Sequence, residues 1–147
     1  MRQRIALEIV LIAGGTLVLA YAVLGGIALL NSSNALETFV DQVPRVLFGL
    51  LGVGLALWAV IVVVGAIVSR RRAAGWHILT HLTGIVVAMI VNAAVLMIVA
   101  ALSGGELLLA GIAAAAGFVV VLCSVPVILI TKLIVLRPRP GSPTLGR

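Results

Sequence analysis

Residues 69–102 read SRRRAAGWHILTHLTGIVVAMIVNAAVLMIVAAL, which is three arginines followed shortly by a long apolar run. The apolar part, residues 78–102, exceeds the about 20 residues that an α-helix needs to cross about 30 Å of hydrocarbon. Arginines just before such a run mark the cytoplasmic end of a membrane helix. The segment therefore predicts a transmembrane helix that begins at the cytoplasmic face.

Three further apolar segments of similar length flank this one, at residues 5–30, 46–68 and 107–136. The chain is 63% hydrophobic and 10% charged, with a mean hydropathy of +1.36. A soluble domain is about 45–50% apolar and about 25% charged, so a lipid environment is required. We predict an all-α integral membrane protein in which residues 1–136 form a bundle of four transmembrane helices, arranged as two hairpins.

The basic residues predict the orientation of this bundle. The chain has ten Lys and Arg residues against four Asp and Glu, and every basic residue except Arg45 lies before the first segment, between the second and third, or from the last turns of the fourth segment (Lys132) onward. The positive-inside rule then places both termini in the cytoplasm. Because the basic residues flank apolar segments, we expect no nucleic-acid partner. The richness in arginine, alanine and glycine suggests a bacterial cytoplasmic membrane.

Residues close to the predicted cytoplasmic helix ends are expected to contact anionic lipid headgroups, because that leaflet surface is negatively charged. These residues are Arg2, Arg4, Arg70, Arg71, Arg72, Trp76, Arg137 and Arg139. The last part of the chain, residues 137–147, is a basic and proline-rich cytoplasmic tail. Its composition favours an extended polyproline-like conformation along the headgroups or docking on a partner.

The link between the first two segments predicts a short external amphipathic helix. Asn34 and Glu37 resemble a capping box, in which two side chains satisfy the free N–H groups of a helix start. Apolar residues at helical spacing follow, at Leu36, Phe39, Val40 and Val43. Pro44 is expected to end or redirect this helix.

Small residues predict where the four helices pack, because membrane helices associate through close packing. The predicted packing residues are Gly49, Gly52 and Ala56 on the second segment, Gly84, Ala88 and Asn92 on the third, and Ala113 and Gly117 on the fourth. Asn92 lies near the bilayer midplane and is expected to form an interhelical hydrogen bond. Trp58 is also mid-segment and is expected to face lipid or a partner.

Four ionisable residues lie within about two turns of the predicted cytoplasmic helix ends, namely Glu8, His77, His81 and Lys132. The topology puts them at similar depth, and ionisable groups inside membranes are costly and usually paired or functional. An ion pair between Glu8 and Lys132, with the histidines beside it, is the resulting hypothesis. Interfacial side chains that reach the headgroups, a contact with a partner, and proton, ion or cofactor handling are the alternatives.

His77 and His81 are four residues apart, so both project from one helix face and can share a zinc or copper ion. Such a site needs a third ligand, and Glu8 is the candidate. We expect the histidines to be structural, with no metal and no cofactor.

The sequence contains no phosphate loop, no Ser/His/Asp arrangement and no cysteine pair, so we expect no enzymatic activity. The small polar mass favours a non-catalytic accessory or assembly subunit of a larger bacterial membrane complex, either respiratory (energy-converting) or a transporter. The expected partners are the lipid bilayer and other membrane subunits. The alternatives are a self-assembling holin-like pore or small transporter, and a haem- or metal-binding membrane anchor that uses His77 and His81.

Overall fold

The computed structural model describes residues 2–31, 34, 37–68, 74–104 and 107–136, without the side chains of residues 2, 74, 135 and 136. All regular structure in these ranges is helical, which confirms the predicted all-α class. The helices are α1 (Arg2–Leu30), two π-helical turns (Thr38–Gln42 and Arg45–Leu50), α2 (Gly52–Val68), α3 (Ala74–Ser103) and α4 (Leu107–Leu136).

Three of these helices are long and apolar enough to cross a membrane, over Gln3–Leu30, Gly75–Ser103 and Leu107–Ile134. The architecture is therefore consistent with a multi-pass membrane protein. The remaining predicted segment, residues 46–68, is not one straight helix. Thr38–Leu50 and Gly52–Val68 meet at a bend of 65°, and only together do they have the length and composition of a further span.

Thr38–Leu50, called the bent segment below, runs back along α1. The Tyr21 hydroxyl donates a hydrogen bond to the Phe39 carbonyl oxygen, and the two rings meet edge to face with centroids 5.0 Å apart. Phe39 also covers Gly25 so closely that a Cβ there would lie 2.5 Å from the phenyl ring. The segment is thus packed against the last third of α1.

This arrangement corrects the prediction of a separate amphipathic helix that Pro44 ends or redirects. The helical path continues through Pro44 to Leu50, and the turn comes at Leu51. This helical path contains two π-helical turns. Its buried residues are accordingly five and four positions apart, at Thr38, Val43 and Leu47. The Asn34 amide donates to the Glu37 carboxylate over 2.8 Å, a contact between the two side chains of the predicted capping box.

The helix pairs α1–α4, α3–α4 and α2–α3 pack antiparallel, and a glycine marks each of these three interfaces. The close pairs are Gly15 with Val127, Gly117 with Met89, and Gly84 with Ile61. Between α3 and α4, Gly104 takes a φ of +64°, the left-handed conformation that commonly ends a helix. The starts of α1 and α3 therefore lie at the same end of the bundle as the ends of α2 and α4.

The predicted packing face of the second segment is corrected by the structure. Gly49 and Ala56 are exposed, and a Cβ on Gly52 would meet no atom within 4 Å. The buried face of α2 is formed instead by Gly54, Trp58, Val62, Gly65 and Ala66. Trp58, predicted to face lipid or a partner, is only 1% exposed. The bend at Leu51 sets the rotation of α2, and apolar composition alone does not encode that bend.

The predicted packing residues of the other two segments are all buried. These are Gly84, Ala88 and Asn92 on α3, and Ala113 and Gly117 on α4. At Gly84 a Cβ would lie 2.3 Å from the Cγ2 methyl of Ile61, so this glycine sets how closely α2 and α3 approach. Together these faces enclose a core that includes Ile12, Ile85 and Val120.

Candidate functional site: a buried cluster of Glu8, His77, His81 and Lys132

Glu8, His77, His81 and Lys132 come together from three helices at one end of the bundle, and are called the cluster below. Oε1 of Glu8 lies 3.0 Å from Nε2 of His81 and 3.8 Å from Nδ1 of His77. Lys132 donates to the same carboxylate oxygen and lies 3.1 Å from Nδ1 of His77. Lys132 is 4% exposed and His81 is fully buried, so the cluster is withdrawn from solvent.

The directions of these hydrogen bonds follow from the chemistry of each group. An ammonium group can only donate, so Nδ1 of His77 must accept from Lys132 through its lone pair. An ionised carboxylate can only accept, so Nε2 of His81 donates its N–H to Glu8. His77 is therefore neutral. His81 is also assigned as neutral, because a proton on its Nδ1 would be buried without an acceptor.

The cluster consequently contains one negative and one positive charge and has no net charge. Desolvating an ion pair is costly, and the pair is tolerated inside a protein only when its remaining lone pairs and protons are hydrogen-bonded. Here His81 donates one such hydrogen bond to the Glu8 carboxylate, and His77 accepts one from the Lys132 ammonium. The arrangement fastens α1, α3 and α4 to one another at a single level of the bundle.

Local sequence explains how each side chain reaches this level. His77 and His81 lie one helical turn apart on the inward face of α3, and the buried face of α1 continues from Glu8 through Ile12 and Thr16 at intervals of four. α2 lies beside the cluster as well, since a Cβ on Gly65 would be in van der Waals contact with Nδ1 of His81, at 3.6 Å. All four α-helices therefore border the cluster.

The structure brings together all four residues that the sequence had singled out. Sequence reasoning missed one neighbour, Gly65, which lies beside His81. Gly65 carried a signal, because it shares the buried face of α2 with Gly54 and Trp58 at helical spacing.

Asn92 forms a second polar contact, far from the cluster. Its amide nitrogen donates to the Leu50 carbonyl over 3.1 Å, and its Oδ1 accepts the Gly54 N–H over 2.9 Å. These two backbone groups flank the bend at Leu51, where the helical ladder is interrupted. One side chain of α3 thus satisfies both sides of the break.

Two of the residues predicted at the lipid headgroups are described with their side chains, and both are exposed. Arg4 lies near the start of α1, and Trp76 is 54% exposed near the start of α3. The other predicted headgroup residues, and the tail 137–147, lie outside the side chains that the structure describes.

The cluster also contains a set of atoms with the chemistry of metal ligands. One ligand atom each from Glu8, His77 and His81 lies within 4.8 Å of the other two. A carboxylate with two imidazoles is a ligand set used by zinc sites. Lys132 stands against two of these three atoms.

Fold and site together define a helical membrane bundle with a neutral, buried cluster of ionisable groups at one end. Comparison of the chain with protein-family models, curated proteins and solved structures finds no match.

Proposed function

We propose that this chain is a non-catalytic accessory or assembly subunit of a larger bacterial membrane complex, respiratory (energy-converting) or transporting. In this proposal it crosses the cytoplasmic membrane four times, with both termini in the cytoplasm. The cluster acts as an internal clasp that holds the helices in a fixed arrangement.

The observation that carries the proposal is the mutual neutralisation within the cluster. Apart from Arg4, the acidic, basic and histidine side chains described in the four α-helices are those of Glu8, His77, His81 and Lys132. All four face inward and bind one another. The outward faces of the described helices are rich in exposed apolar residues, which suits packing against lipid or the apolar helices of other subunits.

The contact between Glu8 and His81 supports the four crossings. If α1 starts on one side of the membrane, it ends on the other. Yet the start of α3 lies beside the start of α1, since Glu8 and His81 are 3.0 Å apart. The chain between them must therefore return across the membrane, and the bent segment with α2 is the part that can do so. The positive-inside rule then assigns both termini to the cytoplasm.

A polar path across the bundle would favour a pore, and the described interior argues against one. Between His81 and Asn92, α3 turns Gly84, Ile85 and Ala88 inward. The Asn92 amide is itself bound to backbone groups. A self-assembling pore is therefore the weaker alternative, and the experiment below distinguishes it from an accessory subunit.

The test is purification of the tagged chain in gentle detergent at its native expression level, after mild crosslinking in intact membranes. Mass spectrometry then identifies what copurifies, with a tagged multi-pass protein of similar abundance as the control. We expect a stoichiometric set of larger membrane subunits that the control lacks. Recovery of the chain alone, or only as a homo-oligomer, contradicts the proposal and makes conductance and transport assays the next step.

A further inference from the structure

We propose that the cluster is a cation site in which the Lys132 ammonium holds the position that a divalent transition-metal ion can take, with zinc as the representative ion. Glu8, His77 and His81 are its ligands. This inference does not depend on the host complex or on the number of membrane crossings.

The first argument is the spacing of the ligand atoms. Tetrahedral zinc with bonds of about 2.0–2.2 Å places its ligand atoms about 3.3–3.5 Å apart. The distances from Oε1 of Glu8 to Nε2 of His81, 3.0 Å, and to Nδ1 of His77, 3.8 Å, bracket this spacing. The three ligands come from two helices that the bundle already holds together, so little rearrangement is needed to close a three-ligand site.

The second argument is what Lys132 binds. Its ammonium contacts Oε1 of Glu8 and Nδ1 of His77, which are two of the three ligand atoms. It uses the same lone pairs that a metal ion would use, and it supplies positive charge at the same point. Lysine and metal therefore compete for one position and cannot occupy it together.

The third argument concerns the protons. Nδ1 of His77 already presents a lone pair, because it accepts from Lys132. Nε2 of His81 carries the N–H that it donates to Glu8, so metal binding requires that proton to move to Nδ1 of the same ring. That proton then lies on a buried Nδ1 that has no acceptor among the described residues, and the Nε2–H bond to Glu8 is lost, so the metal–ligand bonds must offset both costs. No net proton is lost from either histidine.

The fourth argument is that the Lys132 ammonium group can leave the cluster for the membrane surface. It lies near the end of α4, which terminates at Leu136. A lysine close to a helix end can extend its flexible stem and bring its ammonium group to the membrane surface. Vacating the position leaves a carboxylate, two imidazoles and room for a fourth ligand such as water, a coordination that zinc commonly adopts.

The experiment measures zinc binding to the full chain, purified in detergent without a histidine tag. Equilibrium dialysis with metal analysis compares wild type with Lys132→Met, which keeps the length of the side chain and removes its charge. We expect one zinc per chain in the variant, bound at least about tenfold more tightly than in wild type. The thermal midpoint of Lys132→Met should also rise with zinc concentration, because the ion replaces the missing positive charge.

Two matched variants locate the ion. Adding Glu8→Gln to Lys132→Met removes the carboxylate ligand, and adding His81→Ala removes an imidazole, so each should abolish the tight binding. The proposal is overturned if Lys132→Met binds zinc no better than wild type, or if its zinc survives His81→Ala. If Lys132→Met does not fold, wild type should show one saturable zinc site that His77→Ala/His81→Ala lacks, and no such site in wild type also overturns it.

Discussion

At the scale of single residues, the balance of charge in the cluster is what can be tested most directly. Glu8 and Lys132 are both buried and are bound to each other. Removing one member of such a pair leaves an uncompensated charge in an apolar surrounding, whereas removing both leaves none. The energetic consequence of a substitution therefore depends on whether its partner is still present.

We predict that Lys132→Met lowers the free energy of unfolding by about 3–5 kcal/mol in metal-free detergent. Glu8→Gln should lower it by less, because the lysine left behind can extend its ammonium toward the membrane surface. The double variant Glu8→Gln/Lys132→Met should recover most of the loss. Unfolding by denaturing detergent, followed by circular dichroism, provides the measurement.

Asp41→Asn provides the matched control for this cycle. Asp41 and Arg45 form an ion pair with a separation of 2.8 Å, but both side chains are well exposed. Breaking an exposed pair costs only about 0–1 kcal/mol. Equal stability of Lys132→Met and wild type, or a double variant no more stable than Lys132→Met, would show that the pair does not hold the helices together.

Much of the cluster could be predicted from the sequence. Charge asymmetry between the loops gives the direction of each helix, and direction with position gives the depth of Glu8, His77, His81 and Lys132. The individual bonds could not be predicted. The depth of a residue does not determine its hydrogen-bond partners, because these depend on the rotation of each helix about its axis. The sequence therefore could not predict that one carboxylate oxygen accepts from both Lys132 and His81, or that Lys132 also donates to His77.

At the scale of the elements, the break at Leu51 depends on a single side chain from another helix. We predict that Asn92→Leu, which is similar in size but apolar, destabilises the bundle by about 2–6 kcal/mol. It leaves the Leu50 carbonyl and the Gly54 N–H without their partner, each at about 1–3 kcal/mol. Asn31→Leu is the control, because the Asn31 amide is exposed and, among the described residues, bonds to a carbonyl one turn earlier. Similar effects of the two substitutions on unfolding would contradict the role assigned to Asn92.

The interface between α2 and α3 makes a second prediction at this scale. Gly84→Ala would put a Cβ 2.3 Å from a methyl of Ile61, so the Ile61 side chain or the helices must shift, at a cost of about 1–3 kcal/mol. Gly52→Ala meets no atom within 4 Å and should change stability by less than about 1 kcal/mol. The same unfolding titration compares them. A larger loss from Gly52→Ala than from Gly84→Ala would restore the packing face predicted from the sequence.

The bent segment is the element that sequence patterns do not describe. Helical spacing of apolar residues predicts α-helical turns up to Pro44, and proline usually marks a boundary. The chain instead forms π-helical turns on both sides of Pro44 and folds back over Gly25 and Tyr21. Such turns are stabilised by tertiary contacts, which here include the packing of Phe39 against α1. Local sequence does not reveal contacts between distant parts of the chain.

At the scale of the whole molecule, the proposal of four membrane crossings rests on which helix ends lie together. With four crossings, the start of α1 and the end of α4 share one side, and the link before Thr38 shares the other side with the α3–α4 turn. If the bent segment and α2 only dipped into the membrane and returned, α3 would start on the side where α1 ends. Glu8 and His81 would then lie on opposite sides of the bilayer, yet they are hydrogen-bonded.

Single-cysteine labelling separates these two topologies. Cys123 is the only cysteine and is buried, so Cys123→Ala gives a background for new sites at exposed positions. We predict that a membrane-impermeant maleimide added to intact spheroplasts labels Asn34→Cys and Ser103→Cys but not Arg4→Cys. Inside-out vesicles should give the reverse pattern. Three crossings would instead make Ser103→Cys label together with Arg4→Cys, and that result would require the contact between Glu8 and His81 to be abandoned along with the four-span topology.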